Sequence, residues 1–354
     1  MTESALNRPE TDPTPIFEAF RGSYGSELLT AAVSHLGVFE KLSPLGPLTL
    51  EQVGTVLSLE SRPTTVLITA LRAMNLLQAD KEGLLRLTRL SQEHLVAGAE
   101  FDVSGYLGLA AQAPGVLEMV ERLRTNRPAG AESKEQGAAF IYREGIESAM
   151  ERESSARSLT LALAGRARNV APYLARVADL ETASVLLDVG GGTGIYAIAC
   201  LQKYPRLKAI VWDRPEVLKV AHEMAEAHGV TNRLELVPGD MFADPVPPGA
   251  DTILLSNILH DWDVPECEQL VTKLASTLPP QGRLLIHDVF LNDAMDGPLP
   301  IALYSAALFT LTEGRAYSAG EYRSMLQDAG LETGSVVPTL VHCGVLSGKK
   351  PPTE

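Results

Sequence analysis

Leu186-Leu187-Asp188-Val189-Gly190-Gly191-Gly192-Thr193-Gly194, LLDVGGGTG, joins an apolar run that ends in an acid to a loop in which four of five residues are glycine. A short apolar run of this kind reads as a strand, and glycines in a strand-to-helix turn let the backbone approach a ligand where a Cβ would intrude. The dinucleotide fingerprint G-x-G-x-x-G, counted from Gly190, meets Ile195; counted from Gly191 it meets Thr193. The pattern is acid-x-G-x-G-x-G instead, which weakens a nicotinamide reading. No lysine follows the glycines as a phosphate-binding loop requires, so phosphoryl transfer has little support.

Working outward, LKAIVWD, LELVPGD, DTILLSN and RLLIHDVFL read as further strands, alternating with helical patterns, and GSVVPTLVHCGVLSGKK fits one or two last strands. That alternation is the signature of a parallel sheet with crossover helices. The second strand ends in Asp213, whose carboxylate can accept both ribose hydroxyls of an adenosine. The third runs into Gly239-Asp240-Met241-Phe242, offering Asp240 to an adenine amino group and Met241 to its ring face. Each acid alone is equally a helix cap or a solvated turn. Their order on successive strand ends is what points to an adenosine-containing cofactor.

The fourth strand leads into Ile258–Asp263, ILHDWD, with His260 where apolar sequence turns acidic. From the residues alone His260 is a general base, a metal ligand or a packed polar residue. His287 and Asp288, adjacent on one strand, face opposite sides of a sheet. No pair of histidines has HxxxH or HxH spacing, and both facts count against a metal centre. Asp263, with Glu266 three residues on, predicts an N-cap, as does Ser318 with Glu321 in a helix that stops at Gly330.

Upstream, apolar residues recur at helical spacing from Phe17 to Leu42, interrupted by Gly22, Ser23, Gly25, Ser26, Ala31 and Ala32, which suit a helix-helix interface. Thr49-x-x-Gln52 predicts a capping box, Ser61 an N-cap with Pro63 in the first turn, and Asp80–Gly83 a hairpin turn. Helix, helix, hairpin is a winged-helix pattern. Leu48–Leu95 holds five basic and five acidic residues, whereas a DNA reader is locally basic, so dimerisation is the preferred role.

At 354 residues with 45% hydrophobic content the chain predicts two domains, and a net charge of -14 disfavours nucleic acid as a partner. Cys200, Cys267 and Cys343 form no CxxC pair and read as reduced thiols of a cytosolic protein. The longest apolar stretch, Pro298–Leu311, has 14 residues and reads as a buried helix, short of the roughly 20 that span a bilayer. Residues 1–15 carry no signal-peptide pattern and read as a disordered tail.

With these motifs together, the chain resembles the class I S-adenosylmethionine-dependent methyltransferases, in particular the small-molecule O-methyltransferases of caffeic acid, hydroxyindole and bacterial polyketide and phenazine type. The resemblance spans roughly residues 16 to 350 and rests on the winged-helix module, DVGGGTG, WDRP, GDMF and HDWD followed by Cys267. It implies an α/β fold, a Rossmann-like methyltransferase parallel sheet with a mostly helical N-terminal winged-helix dimerisation domain. The expected partition is a tail over 1–15, the winged-helix domain over 16–100, a helical linker and acceptor-pocket region over 101–180, and a cofactor-binding catalytic domain over 181–354. It implies S-adenosylmethionine as cofactor and no resident metal, with Asp188, Gly190 and Gly192 beside the methionine and ribose, Asp213 on the ribose, and Asp240 and Met241 on the adenine. Ser256 stands near the cofactor, where plant members often have lysine. His260 matches the general base and Asp288 an acid that orients it. A second orienting acid falls on Ala316, a departure from the plant pattern, with Glu313 three residues away.

The implied acceptor pocket draws on Tyr142, Leu163, Arg166, Tyr304 and Leu308, with Tyr106, Phe140 and Phe309 nearby, and suits a small hydroxylated aromatic or polyketide-like molecule. The implied partners are that acceptor and a second copy of the chain, with no nucleic acid and no membrane. Two other readings stand beside it: methylation at carbon of a keto acid, with or without metal help, and a non-catalytic winged-helix regulator that senses a ligand.

Overall fold

Helical periodicity lined with small residues becomes α1 (Thr14–Ser34), and Gly37, at φ 59°, separates it from α2 (Val38–Leu42). The structure, a computed structural model, describes residues 2–127 and 153–352. α3 (Leu50–Leu57) opens with the expected capping box: the Thr49 hydroxyl accepts from the Gln52 N–H, and the Gln52 side chain accepts from the Thr49 N–H. α4 (Ser61–Ala73) corrects the N-cap predicted at Ser61, because Glu60 precedes the first turn and Ser61 is already helical. A Ser61 cap would have to serve Pro63, which has no N–H, or Thr64, whose N–H goes to the Glu60 carbonyl. β1 (Leu77–Ala79) and β2 (Leu85–Leu87) form the hairpin, with Leu48 bridged to Leu85. α5 (Arg89–His94), α6 (Ser104–Leu107) and α7 (Pro114–Thr125) complete this part.

α8 (Glu153–Val177) leads into the sheet. Its parallel strands are β3 (Val185–Val189), β4 (Lys208–Asp213), β5 (Leu234–Pro238), β6 (Thr252–Ser256) and β7 (Arg283–Leu291). α9 (Ile195–Lys203), α10 (Pro215–Ala227) and α11 (Val264–Thr277) are the crossovers, and Asp263 caps α11 through the Val264 N–H. α12 (Leu299–Leu311) and the two-residue β8 (Tyr317–Ser318) follow, then α13 (Ala319–Asp328), β9 (Glu332–Thr333), β10 (Val337–Pro338) and β11 (Cys343–Lys349). The strand order is β10-β11-β7-β6-β3-β4-β5, with β11 antiparallel to β7. Every residue of β6 is buried, as a strand covered on both faces must be.

Two compact units result, and they are not consecutive in sequence. One comprises Met1–Pro15, Arg143–Phe290 and Ala319–Glu354; the other Ile16–Tyr142 and Leu291–Ser318. α12 joins the second because Ala306 and Phe309 share a core with Leu28, Phe39, Leu67, Leu71 and Met119. Arg62 secures that join, donating to the Thr312 and Gly314 carbonyls with its guanidinium over the Phe309 ring. The first residues, expected as a disordered tail, lie against the sheet unit instead. The Glu3 N–H donates to the Ala227 carbonyl, the Ala5 N–H donates to Gln202 Oε1, and Arg8 stands over the Tyr173 ring. Backbone groups that find partners on a folded surface need no core of their own.

Truncating the fully covered sheet centre tests this packing. Leu254→Ala in β6, 1% exposed in the parent, is expected to cost about 2–5 kcal/mol, read as a lower urea midpoint at constant slope.

Candidate active site

Parallel pairing brings the carboxyl ends of β4, β3, β6 and β7 to one edge, and the predicted residues follow those ends in turn. Asp188, on β3, has no exposed surface and neither oxygen meets a hydrogen-bond donor. Burial pushes its carboxyl up to about 7; the Asp213 charge adds to this, and the Ala197 N–H in the first turn of α9, outside hydrogen-bond geometry, opposes it. The first two positions of the loop after it tolerate no side chain. A Cβ on Gly190, at φ 63°, would lie 2.5 Å from the Ile258 side chain, and one on Gly191 would lie 2.8 Å from the Asp188 carboxyl. Asp213 braces this loop, accepting from the Gly192 N–H at 2.8 Å and the Arg214 N–H at 2.7 Å. Burial raises its pKa, with those two N–H groups and the Arg214 charge opposing.

Asp240 Oδ1 accepts from the Phe242 and Ala243 N–H groups, which fixes the turn carrying Met241. Lys273, on α11, clamps the same turn by donating to the carbonyls of Met241, Phe242 and Asp244. Nothing in the local sequence marks Lys273, since one lysine on an amphipathic helix resembles any solvated one.

Beyond β6, Asn257 takes the left-handed conformation at φ 57°, and a 3-10 turn over Leu259–Asp261 presents His260. The turn is pinned by the Cys267 thiol on the Leu259 carbonyl and by Trp262, whose ring meets Phe242 edge-on at 4.7 Å. His260 is 4% exposed, with Nδ1 2.6 Å from Asp288 Oδ1. An ionised carboxylate only accepts, so Nδ1 carries the proton and Nε2 is the unprotonated nitrogen of the neutral ring. Asp261 Oδ1 stands 3.7 Å from Nε2. Asp288 is itself held three ways: Oδ1 also accepts from the Val289 N–H at 2.8 Å, and Oδ2 accepts from the Tyr322 hydroxyl at 3.2 Å.

Burial alone would lower the His260 pKa, but the charges of Asp288 and Asp261 and the Asp288 hydrogen bond outweigh it, with Arg166 opposing them, and the net shift is upward. Burial pushes Asp261 up to about 6, against the pull of His260. His287 belongs to a different network. Its Nδ1 lies 2.8 Å from Ser256 Oγ and its Nε2 3.1 Å from Thr339 Oγ1, and burial together with Arg166 pushes it down to about 3. The Ser256 hydroxyl, expected near the cofactor, is thus committed to His287 and Asn257. Among the described residues no group of three or more His, Cys, Asp or Glu could hold a metal ion.

The residues expected at the acceptor belong to both units. Arg166, on α8, donates to Asn257 Oδ1 at 2.7 Å and to Cys343 Sγ at 2.9 Å, while Leu163 is 54% exposed. Tyr304 and Leu308 lie on α12 in the other unit, where the Arg21 guanidinium stacks 3.5 Å from the Tyr304 ring centre and Leu308 is buried. Tyr142, with Phe140, lies outside the described residues. Tyr322, Asn257 and Cys343 are the polar neighbours that the sequence does not reveal.

Residues 131–332 match the O-methyltransferase domain family. Over 320 residues the chain is 33% identical to 3-hydroxy-5-methyl-1-naphthoate 3-O-methyltransferase of Streptomyces sahachiroi, covering 90% of this chain and 89% of that protein. It is 31% identical to the acetylserotonin O-methyltransferase of Bos taurus over 320 residues, covering 88% and 90%. The crystal structure of an O-methyltransferase family 2 protein from Planctomyces limnophilus, in complex with apigenin, superposes with a TM-score of 0.88 at 49% identity over 99% of both chains. The chain therefore belongs to the S-adenosylmethionine-dependent O-methyltransferases.

Proposed function

We propose that the enzyme methylates a hydroxyl of a small aromatic acceptor, with His260 as general base. The observation that carries this reading is the His260 Nδ1 to Asp288 Oδ1 contact of 2.6 Å, which leaves Nε2 as the basic nitrogen. A phenol has a pKa of about 10 against about 6.5 for an ordinary imidazole, so proton transfer to histidine is uphill. The upward shift of His260 narrows that gap, and Asp261 beside Nε2 favours the imidazolium formed as the proton arrives. The acceptor class is supported by relatives named for a hydroxynaphthoate and for acetylserotonin, and by the apigenin bound to the structural relative.

S-adenosylmethionine supplies, when bound, a methyl group on a cationic sulfur that an acceptor oxygen can displace in line. The residues fit it. Asp188 is a buried acid with both oxygens lacking donors, which suits a cationic, hydrogen-bonding ligand, and the glycine loop has no room for side chains at Gly190 and Gly191. Asp213 would hold the ribose, and Asp240 with Met241 the adenine, on a turn already fixed by Lys273. On the sheet unit the acceptor side draws on Leu163 and Arg166.

A homodimer through the N-terminal unit is the expected assembly. Ile16, Phe20, Tyr106 and Leu109 in that unit are 71%, 75%, 77% and 82% exposed, more apolar surface than a monomer gains from leaving in water. No described helix is long and apolar enough to cross a membrane, and all three cysteines are buried thiols, which suits a reducing cytoplasm.

His260→Ala is expected to lower kcat about 10²–10⁴-fold while calorimetry shows S-adenosylmethionine binding within about twofold of the parent. Unchanged turnover removes the base role, and a labelled methyl group found on carbon in the product removes O-methylation. Asp188 has a second signature. Because its folded pKa stands near 7 against 3.8 for an ordinary aspartate, its contribution to stability is full below about pH 4 and is lost as pH rises through 7. The cofactor-free Asp188→Asn protein should therefore melt above the parent at pH 8, with the gap closing toward pH 4, and should bind S-adenosylmethionine more weakly. Finally, Phe20→Glu combined with Leu109→Glu should halve the mass seen by light scattering; an unaltered mass places the dimer contact elsewhere.

A further inference from the structure

We propose that Tyr322 is a positioning residue for the proton transfer, holding Asp288 so that Asp288 can hold His260. The inference rests on His260 being the base. Tyr322 is presented by α13, is fully buried, and stacks edge-on against Phe290 with ring centres 5.8 Å apart. Its hydroxyl donates to Asp288 Oδ2 at 3.2 Å, while Oδ1 of the same carboxylate meets His260 Nδ1 at 2.6 Å. The two oxygens of one buried carboxylate are thus divided, one for the base and one for the phenol.

That division has chemical consequences. A carboxylate held by one oxygen alone can rotate about its Cβ–Cγ bond, and the imidazole follows whichever oxygen it is bonded to. With Oδ2 tied to α13 and Oδ1 to the Val289 N–H, the plane of the carboxylate is set before any ligand arrives. The hydroxyl also draws negative charge toward Oδ2 and away from His260, which tempers how strongly Asp288 favours the imidazolium. Among the described residues, the charges acting on the imidazole include Asp288 from β7, Asp261 from its own turn and Arg166 from α8, and Tyr322 acts on the first of these.

Tyr322→Phe keeps the ring and removes only the donor. In the full-length enzyme with S-adenosylmethionine and a turned-over hydroxylated aromatic, kcat is expected to fall about 5- to 20-fold, with little change in the KM of either substrate. The acid limb of the kcat/KM profile is expected to move upward by roughly half to one pH unit, because Asp288 then turns more charge on His260. Leu326→Ala, a cavity on the same helix, is the packing control: it should lower the melting temperature without moving that limb. If Tyr322→Phe keeps the parent's kcat and acid limb, or behaves as Leu326→Ala does, the inference is overturned. Should Tyr322→Phe fold poorly, site-specific 3-fluorotyrosine at position 322 supplies a stronger donor of the same shape. It should move the acid limb downward, and a stationary limb overturns the inference. His260→Ala separates the two readings: activity in that variant defeats the base, whereas its loss together with an unmoved Tyr322→Phe profile defeats the positioning role alone.

Discussion

A carboxylate with 1% of its surface exposed, like that of Asp288, persists as an anion inside a protein only when donors replace the water it has lost. Asp288 has three: the Val289 N–H, the Tyr322 hydroxyl and the imidazole Nδ1–H of His260. Each comes from a different place, the strand itself, the helix α13 and the turn after β6. Satisfying this one charge therefore fixes the relative position of three elements. It also dictates the protonation of the histidine, because only the tautomer with Nδ1–H serves as a donor. The direction of Nε2 follows from packing, and so does its basicity.

Asp188 shows the opposite treatment of the same problem. It is as deeply buried, two strands away on the same edge, and neither of its oxygens meets a donor. Its carboxyl responds by moving up to about 7, where protonation competes with ionisation. The fold thus completes one carboxylate from within and leaves the other without donors. Under the proposed function that asymmetry is useful: His260 would be preorganised, whereas the Asp188 carboxyl would gain a partner when the cofactor binds.

What the sequence makes legible is local. Asp188 to Gly194 announces itself because glycine at short spacing has few other uses, and Thr49 with Gln52 because a capping box spans four residues. The parallel sheet follows from alternating runs. Interactions between distant residues leave no comparable mark. Arg166 with Cys343 is 177 residues apart, Arg166 with Asn257 is 91, and Tyr322 with Asp288 is 34. α12 reads as part of the catalytic half because it follows β7, yet Phe309 and Ala306 complete the core of the other unit, and chain order says nothing about that. The same holds for Ala316. Read through resemblance, it leaves His260 with one acidic partner, whereas the structure places Asp261 within 3.7 Å of Nε2 and a phenol behind Asp288.

Two carboxylates around one imidazole raise a difficulty that the third charge resolves. Each favours the imidazolium, and a histidine shifted too far upward is already protonated at neutral pH and accepts nothing. The Arg166 guanidinium works against both, and it is not loosely placed: Asn257, held in the left-handed conformation beside β6, fixes one nitrogen, and Cys343 at the start of β11 fixes another. Burial, with the same positive charge, keeps His287 neutral, and its two nitrogens are paired with Ser256 and Thr339. Basicity at His260 is thus a balance struck among β7, α8 and the turn after β6. A change at Arg166 alters that balance even if the acceptor never touches the guanidinium, so a loss of activity there reports on the base as much as on the pocket.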